Sequence, residues 1–199
     1  MLIMELIVKL REMTGAGIVD CRNALKESEN NIDRACKYLR EKGLASVIKK
    51  AGRATKQGLI YSYIHGDGVL GVLVEVNCET DFVAKTQDYK TLVKEIAMQI
   101  AAVAPVYVSR QQIPASVIEA EQKIYKTLLR EEGKPEQVWD KIIDGKIEKF
   151  YSQVCLYDQI YIRDASGKET IRDLVSKTIV KTGENIVIKK FARFKLGEE

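Results

Sequence analysis

The first 45 residues carry their apolar side chains at the spacing of an α-helix, in three successive stripes. Thr14-Gly15-Ala16-Gly17 separates the first stripe from the second, because its two glycines favour a turn over a helix. Asn30 and Asn31 are favourable caps for a third helix, which we expect to end at Gly43. The pattern predicts a compact three-helix bundle. The positions that define the stripes are Leu2, Leu6, Leu10, Met13, Ile18, Cys21, Ala24, Leu25, Ser28, Ile32, Ala35, Cys36 and Leu39.

A proline-free segment from Leu44 to Lys56 follows, with basic residues on a helical pattern. We interpret it as a helical connector, so that residues 1–55 form the bundle and connector and residues 56–199 form a second domain. A basic helix face is ordinarily solvated surface, and the alternative is an electrostatic binding site for a partner. The basic residues concerned are Lys49, Lys50, Arg53 and Lys56.

From Leu59 the hydrophobic period changes from helical to alternating, which is typical of β-strands. Leu59–His65 and Val69–Cys78 predict two strands, and Gly66-Asp67-Gly68 predicts the turn of a hairpin. Asn185–Leu196 alternates in the same way. These three segments predict a small antiparallel sheet.

Helical patterns occupy most of the chain between the hairpin and the last strand. Residues 88–104 have a wide apolar face that could pack across a sheet. Residues 114–133, 135–145 and 147–154 predict a helical hairpin arm, and residues 171–183 predict a last helix. The predicted class is therefore α+β: an N-terminal three-helix bundle, then a core of antiparallel sheet with flanking helices.

Composition and charge narrow the function classes. Hydrophobic residues make up 46% and charged residues 30%, as in ordinary folded proteins. The net charge of +4 is small, so we expect no direct nucleic-acid binding. No apolar run reaches 18 residues, so we expect no membrane span. The four cysteines form no C-x-x-C pair, which favours reduced intracellular surroundings and no zinc site.

Residues that could catalyse a reaction are scarce. His65 is the only histidine and lies at a predicted strand end. No G-x-S-x-G, phosphate-cradling glycine loop or H-E-x-x-H occurs. We therefore expect a binding protein rather than an enzyme, with no catalytic residue, no metal and no cofactor.

The segment Asn77–Ala84 ends the predicted hairpin with an acidic and an aromatic residue side by side. In one interpretation, Thr80 or Asp81 caps a helix and Phe82 packs into the core. In the other, Asp81 and Phe82 protrude on a tip held by the sheet and enter a partner, as aromatic anchors do. The pattern alone leaves both open.

The chain resembles the elongation factor Ts family along nearly its whole length, and three stretches carry the resemblance. Ile7–Leu25 reads IVKLREMTGAGIVDCRNAL, and the family signature is L-R-x-x-T-G-A-G, two apolar residues and D-C. Val74–Ala84 reads VEVNCETDFVA and is similar to the second signature. Asn185–Gly197, with its FARFKLG ending, is similar to the family's final segment.

The resemblance implies a guanine nucleotide exchange factor of translation elongation, with elongation factor Tu as its partner. It implies that Thr80, Asp81, Phe82 and Val83 enter beside the partner's nucleotide site and disturb the bound magnesium ion. It also implies that the N-terminal bundle, which is similar to a ubiquitin-associated domain, packs Ile18 and Val19 on the partner's GTP-binding domain.

The chain resembles the compact members of the family, with one core half, which suggests self-association as a homodimer. We expect a bacterial cytoplasmic protein; the alternative is a plastid stroma or another organelle matrix. Two rival functions are an RNA-binding accessory factor and an adaptor for ubiquitin-like proteins. The first would use the basic Lys49–Lys56 face with Lys189, Lys190 and Arg193, and the second the helical bundle.

Overall fold

A computed structural model describes residues 3–198 and confirms the α+β class, with an antiparallel three-stranded sheet and an N-terminal helical region. No helix within residues 3–198 combines the length and the apolar composition needed to cross a membrane. The helices are α1 Ile3–Thr14, α2 Ile18–Glu27, α3 Ile32–Lys50, α4 Asp81–Lys85, α5 Gln87–Val103, α6 Ala115–Glu131, α7 Trp139–Val154 and α8 Ile171–Thr182. The strands are β1 Gln57–His65, β2 Leu70–Cys78 and β3 Ile186–Lys195.

The N-terminal helices α1, α2 and α3 enclose a small apolar core of their own. The predicted turn at residues 14–17 separates α1 from α2, and the Asn31 side chain caps α3 by accepting the Arg34 N–H at 3.0 Å. Met13 is exposed, against expectation, and Leu2 lies outside the described residues. The buried residues of this core are Leu6, Ile7, Leu10, Cys21, Ala24, Leu25 and Ala35.

The expected end of the third helix at Gly43 is wrong. Helix α3 continues without interruption to Lys50 and includes the first part of the expected connector. A Cβ atom at Gly43 would lie 3.2 Å from Cγ2 of Val180 in α8. Glycine is present because a neighbouring helix approaches closely, and the helix tolerates it there at a cost in propensity.

The hairpin and the third strand form one sheet, as the alternating pattern predicts, and the strand order is β1-β2-β3. In the central strand β2, Leu70, Val72, Val74, Val76 and Cys78 are buried at every second position, so one face meets a core. Residues 66–68 all have positive φ values, which the Gly-Asp-Gly turn accommodates.

Helix α5 buries its whole predicted apolar face. The hydroxyl of Tyr89 donates a hydrogen bond of 2.6 Å to the carbonyl oxygen of Val76, which satisfies a polar group inside the core. Burial raises the pKa of Tyr89 far above its usual value. The buried residues of this face are Tyr89, Leu92, Val93, Ile96, Ala97, Ile100 and Ala101.

Helices α6 and α7 pack as the predicted hairpin arm, around a separate cluster of Leu129, Ile143 and Ile147. The expected helix end at Gly145 is wrong, because α7 runs through it from Trp139 to Val154. A Cβ atom at Gly145 would meet nothing within 4 Å, so this glycine marks neither a turn nor a close approach.

The chain folds as two compact units, each made of separate segments. The first unit contains the chain up to Tyr61 with Glu75–Glu95 and Asp173–Lys189. The second unit contains Ser62–Val74, Ile96–Arg172 and the chain from Lys190. Cores of both units therefore draw on residues that are distant in sequence. The division of the chain after residue 55 stays a prediction.

Candidate partner-binding site

The segment after the hairpin forms a single helical turn, α4, and Thr80 caps its N-terminus. Thr80 has an extended backbone and is the N-cap of α4, where its Oγ1 accepts the Val83 N–H at 3.4 Å. Its own N–H and hydroxyl both donate to the Glu184 carboxylate, at 3.0 and 2.6 Å. The prediction that Thr80 or Asp81 caps a helix is confirmed for Thr80.

Phe82 lies at the surface of this turn. Its side chain is 78% exposed, whereas Val83 and Ala84 in the same turn are buried. The interpretation in which Phe82 packs into the core is therefore wrong. A short helix with two buried anchors leaves the ring pointing into solvent, in the arrangement that the second interpretation requires.

Asp81 begins the helix and is also exposed. Its carboxylate accepts a hydrogen bond of 2.6 Å from the Lys85 ammonium, one turn along the helix. This hydrogen bond lowers the pKa of Asp81 below its usual value, so the carboxylate stays ionised at neutral pH. The tip thus presents an anion next to an aromatic ring.

A second exposed apolar surface lies on the N-terminal helices, in the first unit. Ile18 and Val19 open α2 and are 53% and 60% exposed. Ile18 also borders a shallow groove of about 340 Å³ along α1. The other residues that line the groove are Met4, Ile7, Val8, Arg11 and Glu12.

Sequence reasoning missed the groove residues Met4 and Val8. Both are exposed, although their apolar character suggests burial. The available signal was their spacing: they are four residues apart, on a different side of α1 from Leu6 and Leu10. An apolar pair that lies off the buried stripe of a helix indicates that the helix has a second, exposed apolar side.

Residues with metal-binding or nucleophilic chemistry are dispersed. In the part of the chain that the structure describes, no three His, Cys, Asp or Glu residues lie close enough together to hold a metal ion. The exposed His65 ring stacks on Tyr63, whose hydroxyl is 2.9 Å from His65 Nδ1. Burial raises the pKa of the Cys155 thiol to about 11, which keeps it protonated and unreactive at neutral pH.

Comparison with known proteins identifies the family. A family profile described as "Elongation factor TS" matches residues 21–198. The chain is 53% identical over 196 residues to elongation factor Ts of Thermotoga neapolitana, and the match covers 98% of each chain. It is 53% identical over 194 residues to that of a Thermoanaerobacter species, covering 98% of this chain and 94% of the relative. On the profile match and these identities, the chain belongs to the elongation factor Ts family.

Proposed function

We propose that this protein binds elongation factor Tu in its GDP-bound form and accelerates GDP release by disturbing the magnesium and phosphate site. Membership of the family supports the exchange activity and the partner. The observation that supports the mechanism is the exposure of Phe82 beside the ionised Asp81, on a turn capped by Thr80.

In this mechanism, Phe82 enters the partner as an apolar wedge. A ring that is 78% exposed in the free protein can bury most of its surface on binding. That gain in free energy is available to displace partner side chains near the nucleotide. The resemblance implies that Val83 also enters beside the nucleotide site, but Val83 is buried in this structure and anchors the turn from inside.

Asp81 contributes charge. Magnesium holds the nucleotide phosphates to their binding loop, so its loss removes a large electrostatic contribution to GDP affinity. A carboxylate brought close to that site competes for the groups that surround the ion. Its exposed ion pair with Lys85 is weak in water and can open on binding.

Ile18 and Val19 supply affinity at a separate place. Their exposed side chains and the adjoining groove of α1 form an apolar surface suited to the partner's GTP-binding domain. Exchange then follows from thermodynamic coupling, because the factor binds the nucleotide-free partner more tightly than the GDP-bound partner. No covalent step is involved.

The test is the release rate of a fluorescent GDP from elongation factor Tu, with and without this protein. We expect acceleration that disappears in the double variant Asp81→Ala, Phe82→Ala. Phe194→Ala is the matched control, because Phe194 is also a phenylalanine at the surface, 73% exposed. No acceleration by the unaltered protein would contradict the exchange function, and acceleration by the double variant would contradict the site.

A further inference from the structure

Two pairs of residues, far apart in sequence, exchange hydrogen bonds beside the tip. Glu79 and Thr80 directly precede α4, and Glu184 and Asn185 directly precede β3. The Thr80 N–H donates to Glu184 Oε2 at 3.0 Å, and the Asn185 N–H donates to Glu79 Oε1 at 2.7 Å. Each carboxylate therefore accepts the backbone N–H of the residue that follows the other glutamate. We call this four-residue arrangement the carboxylate clasp.

Glu184 also contacts the side chain that caps the helix. The Thr80 hydroxyl donates its proton to Glu184 Oε1 at 2.6 Å. Because that proton is committed to Glu184, the lone pairs of Thr80 Oγ1 point elsewhere and can accept the Val83 N–H. The cap of α4 is thus held by a residue more than a hundred positions away. Hydrogen bonds to an ionised carboxylate are about twice as strong as neutral ones.

The clasp is fastened on its other side to the end of α3. Asn185 is buried, and its Nδ2 donates to the carbonyl oxygens of Ala51 and Arg53, at 3.4 and 3.0 Å. Arg53 Nη1 lies 3.4 Å from Glu79 Oε1. Hydrogen bonds and an ion pair therefore connect residues 51–53, which follow α3, to Asn185 and Glu79. All of these residues belong to the first unit.

The tip needs such support because α4 has only five residues. A helix of that length is not stable by itself in water. Its direction depends on its cap, on the buried Val83 and Ala84, and on the segments that hold Thr80. Phe82 lies two residues after Thr80, so motion of the cap residue also changes the direction of the Phe82 side chain.

We propose that Glu184 is a positioning residue for nucleotide exchange, which orients Phe82 by holding Thr80 in the carboxylate clasp. This inference rests on the proposed role of Asp81 and Phe82. Glu184 acts through Thr80 and does not itself contact the partner's nucleotide site. Without Glu184, complexes still form through the Ile18 and Val19 surface, but a smaller fraction of the bound complexes has Phe82 in the productive direction. The maximal release rate therefore falls.

The experiment measures GDP release from elongation factor Tu at increasing concentrations of each variant. It separates the maximal rate from the concentration that gives half of it. For Glu184→Ala we expect the maximal rate to fall about tenfold, the size of a lost cap interaction expressed as a rate. The half-maximal concentration should change by less than about twofold, because the Ile18 and Val19 surface is unaltered.

Conservative and matched variants make the test specific. Glu184→Gln keeps a carbonyl oxygen for the Thr80 N–H and should recover part of the rate. Thr80→Val removes the hydroxyl, and combining it with Glu184→Ala should cost less than the sum of the two single losses. Both changes break the hydroxyl–carboxylate bond, and only Glu184→Ala also removes the bond to the residue-80 N–H. Lys181→Ala removes an ion pair of equal length, 2.6 Å to Asp88 in the same unit, and should leave the rate unchanged.

An independent measurement reports on the clasp itself: hydrogen exchange at the Thr80 and Asn185 amides, which should be slow and should quicken in Glu184→Ala. If that variant melts at a lower temperature but keeps the maximal rate well below its melting point, the clasp is only structural and the inference falls. If Glu184→Ala does not fold, Glu184→Gln and Thr80→Val decide in the same way. If the unaltered protein does not accelerate GDP release, the proposed function is contradicted. Slow exchange of the Thr80 and Asn185 amides would then show that the clasp is formed nevertheless, so the two failures can be distinguished.

Discussion

Phe82, Val83 and Ala84 occupy consecutive positions of one helical turn and have opposite environments. Val83 and Ala84 are buried, and Phe82 is 78% exposed. Leaving a large apolar side chain in water forgoes about 1.5–3 kcal/mol of burial free energy. A partner that covers the ring would recover it. At the scale of residues, this contrast is the strongest sign of a contact site.

The first prediction concerns this ring. Phe82→Ala should lower the rate of GDP release from elongation factor Tu strongly, because the wedge is removed. The free energy of unfolding should change by less than about 0.5 kcal/mol, since surface substitutions cost little. Asp81→Ala should slow release less if the wedge dominates. Release kinetics and a denaturant melt measure the two effects, and a loss of about 3–5 kcal/mol would instead indicate a core position.

A second prediction concerns Asp164, in the second unit. Its carboxylate accepts hydrogen bonds from the Ser166 hydroxyl at 2.6 Å and from the Lys168 and Glu169 N–H groups at 2.8 Å. These bonds lower the pKa of Asp164 well below its usual value. A lowered pKa stabilises the fold above the unfolded-state pKa of about 4, and the contribution is lost as pH falls below it.

Asp164→Asn should therefore lower the melting temperature at pH 7 and lower it progressively less as pH falls below about 4. Asp140→Asn is the control, because Asp140 is an exposed aspartate in the first turn of α7, where loss of its charge should have only a small effect on stability. A pH-independent difference between Asp164→Asn and the unaltered protein would contradict the assigned cause.

At the scale of elements, the sequence predicted the order and type of the main helices and strands, but it ended the third helix too early and divided α7 into two helices. Both errors fall at glycines, Gly43 and Gly145, because a glycine at the end of a helical pattern ordinarily indicates a helix end. Gly43 permits close approach of Val180, a contact that periodicity cannot show. Gly145 has no contact that requires it. Glycine ends a helix only where the backbone turns, as at Gly183 with its φ of 78°.

These two glycines make a matched pair for a third prediction. Gly145→Ala should stabilise the protein by about 0.5–1 kcal/mol, because alanine favours the helix and the added Cβ meets nothing. Gly43→Ala should give less stabilisation or a net loss, since its Cβ would lie 3.2 Å from Val180. Chemical denaturation of both variants provides the comparison, and equal gains would contradict the packing explanation.

The residues of the candidate site could be predicted from the sequence, but the hydrogen bonds that hold them in place could not. Thr80 as a cap and the acid–aromatic pair are visible in eight consecutive residues. Glu184 is far from them along the chain and carries no local signal of its bonds to Thr80. Local chemistry can be deduced from spacing, whereas contacts between distant segments require the fold.

At the scale of the whole molecule, the compact units cut across the predicted division of the chain. The change of hydrophobic period at Leu59 marks where helices are followed by the hairpin. The first unit nevertheless recruits Glu75–Glu95 and Asp173–Lys189 to the N-terminal part of the chain. The candidate tip and the Ile18 and Val19 surface therefore belong to one unit, although the sequence assigned them to two domains.

A fourth prediction concerns the coupling between the protein and nucleotide. Elongation factor Tu should bind this protein more tightly without nucleotide than with GDP, by the same factor that this protein weakens GDP binding. Calorimetric titrations of both forms of the partner would measure that factor. In Phe82→Ala the factor should approach one, while Phe194→Ala should keep it. Equal affinity for the two forms of the partner would contradict an exchange mechanism.

The hairpin arm contains Trp139, the single tryptophan of the chain. Its indole N–H donates to the Lys134 carbonyl at 2.8 Å, and Arg130 lies 5.9 Å above its ring. Tryptophan emission from this protein therefore originates in the hairpin arm, and it does not report on α4 or on the N-terminal helices. A native spectroscopic probe is already present for the arm, and an introduced fluorophore is needed to observe anything else.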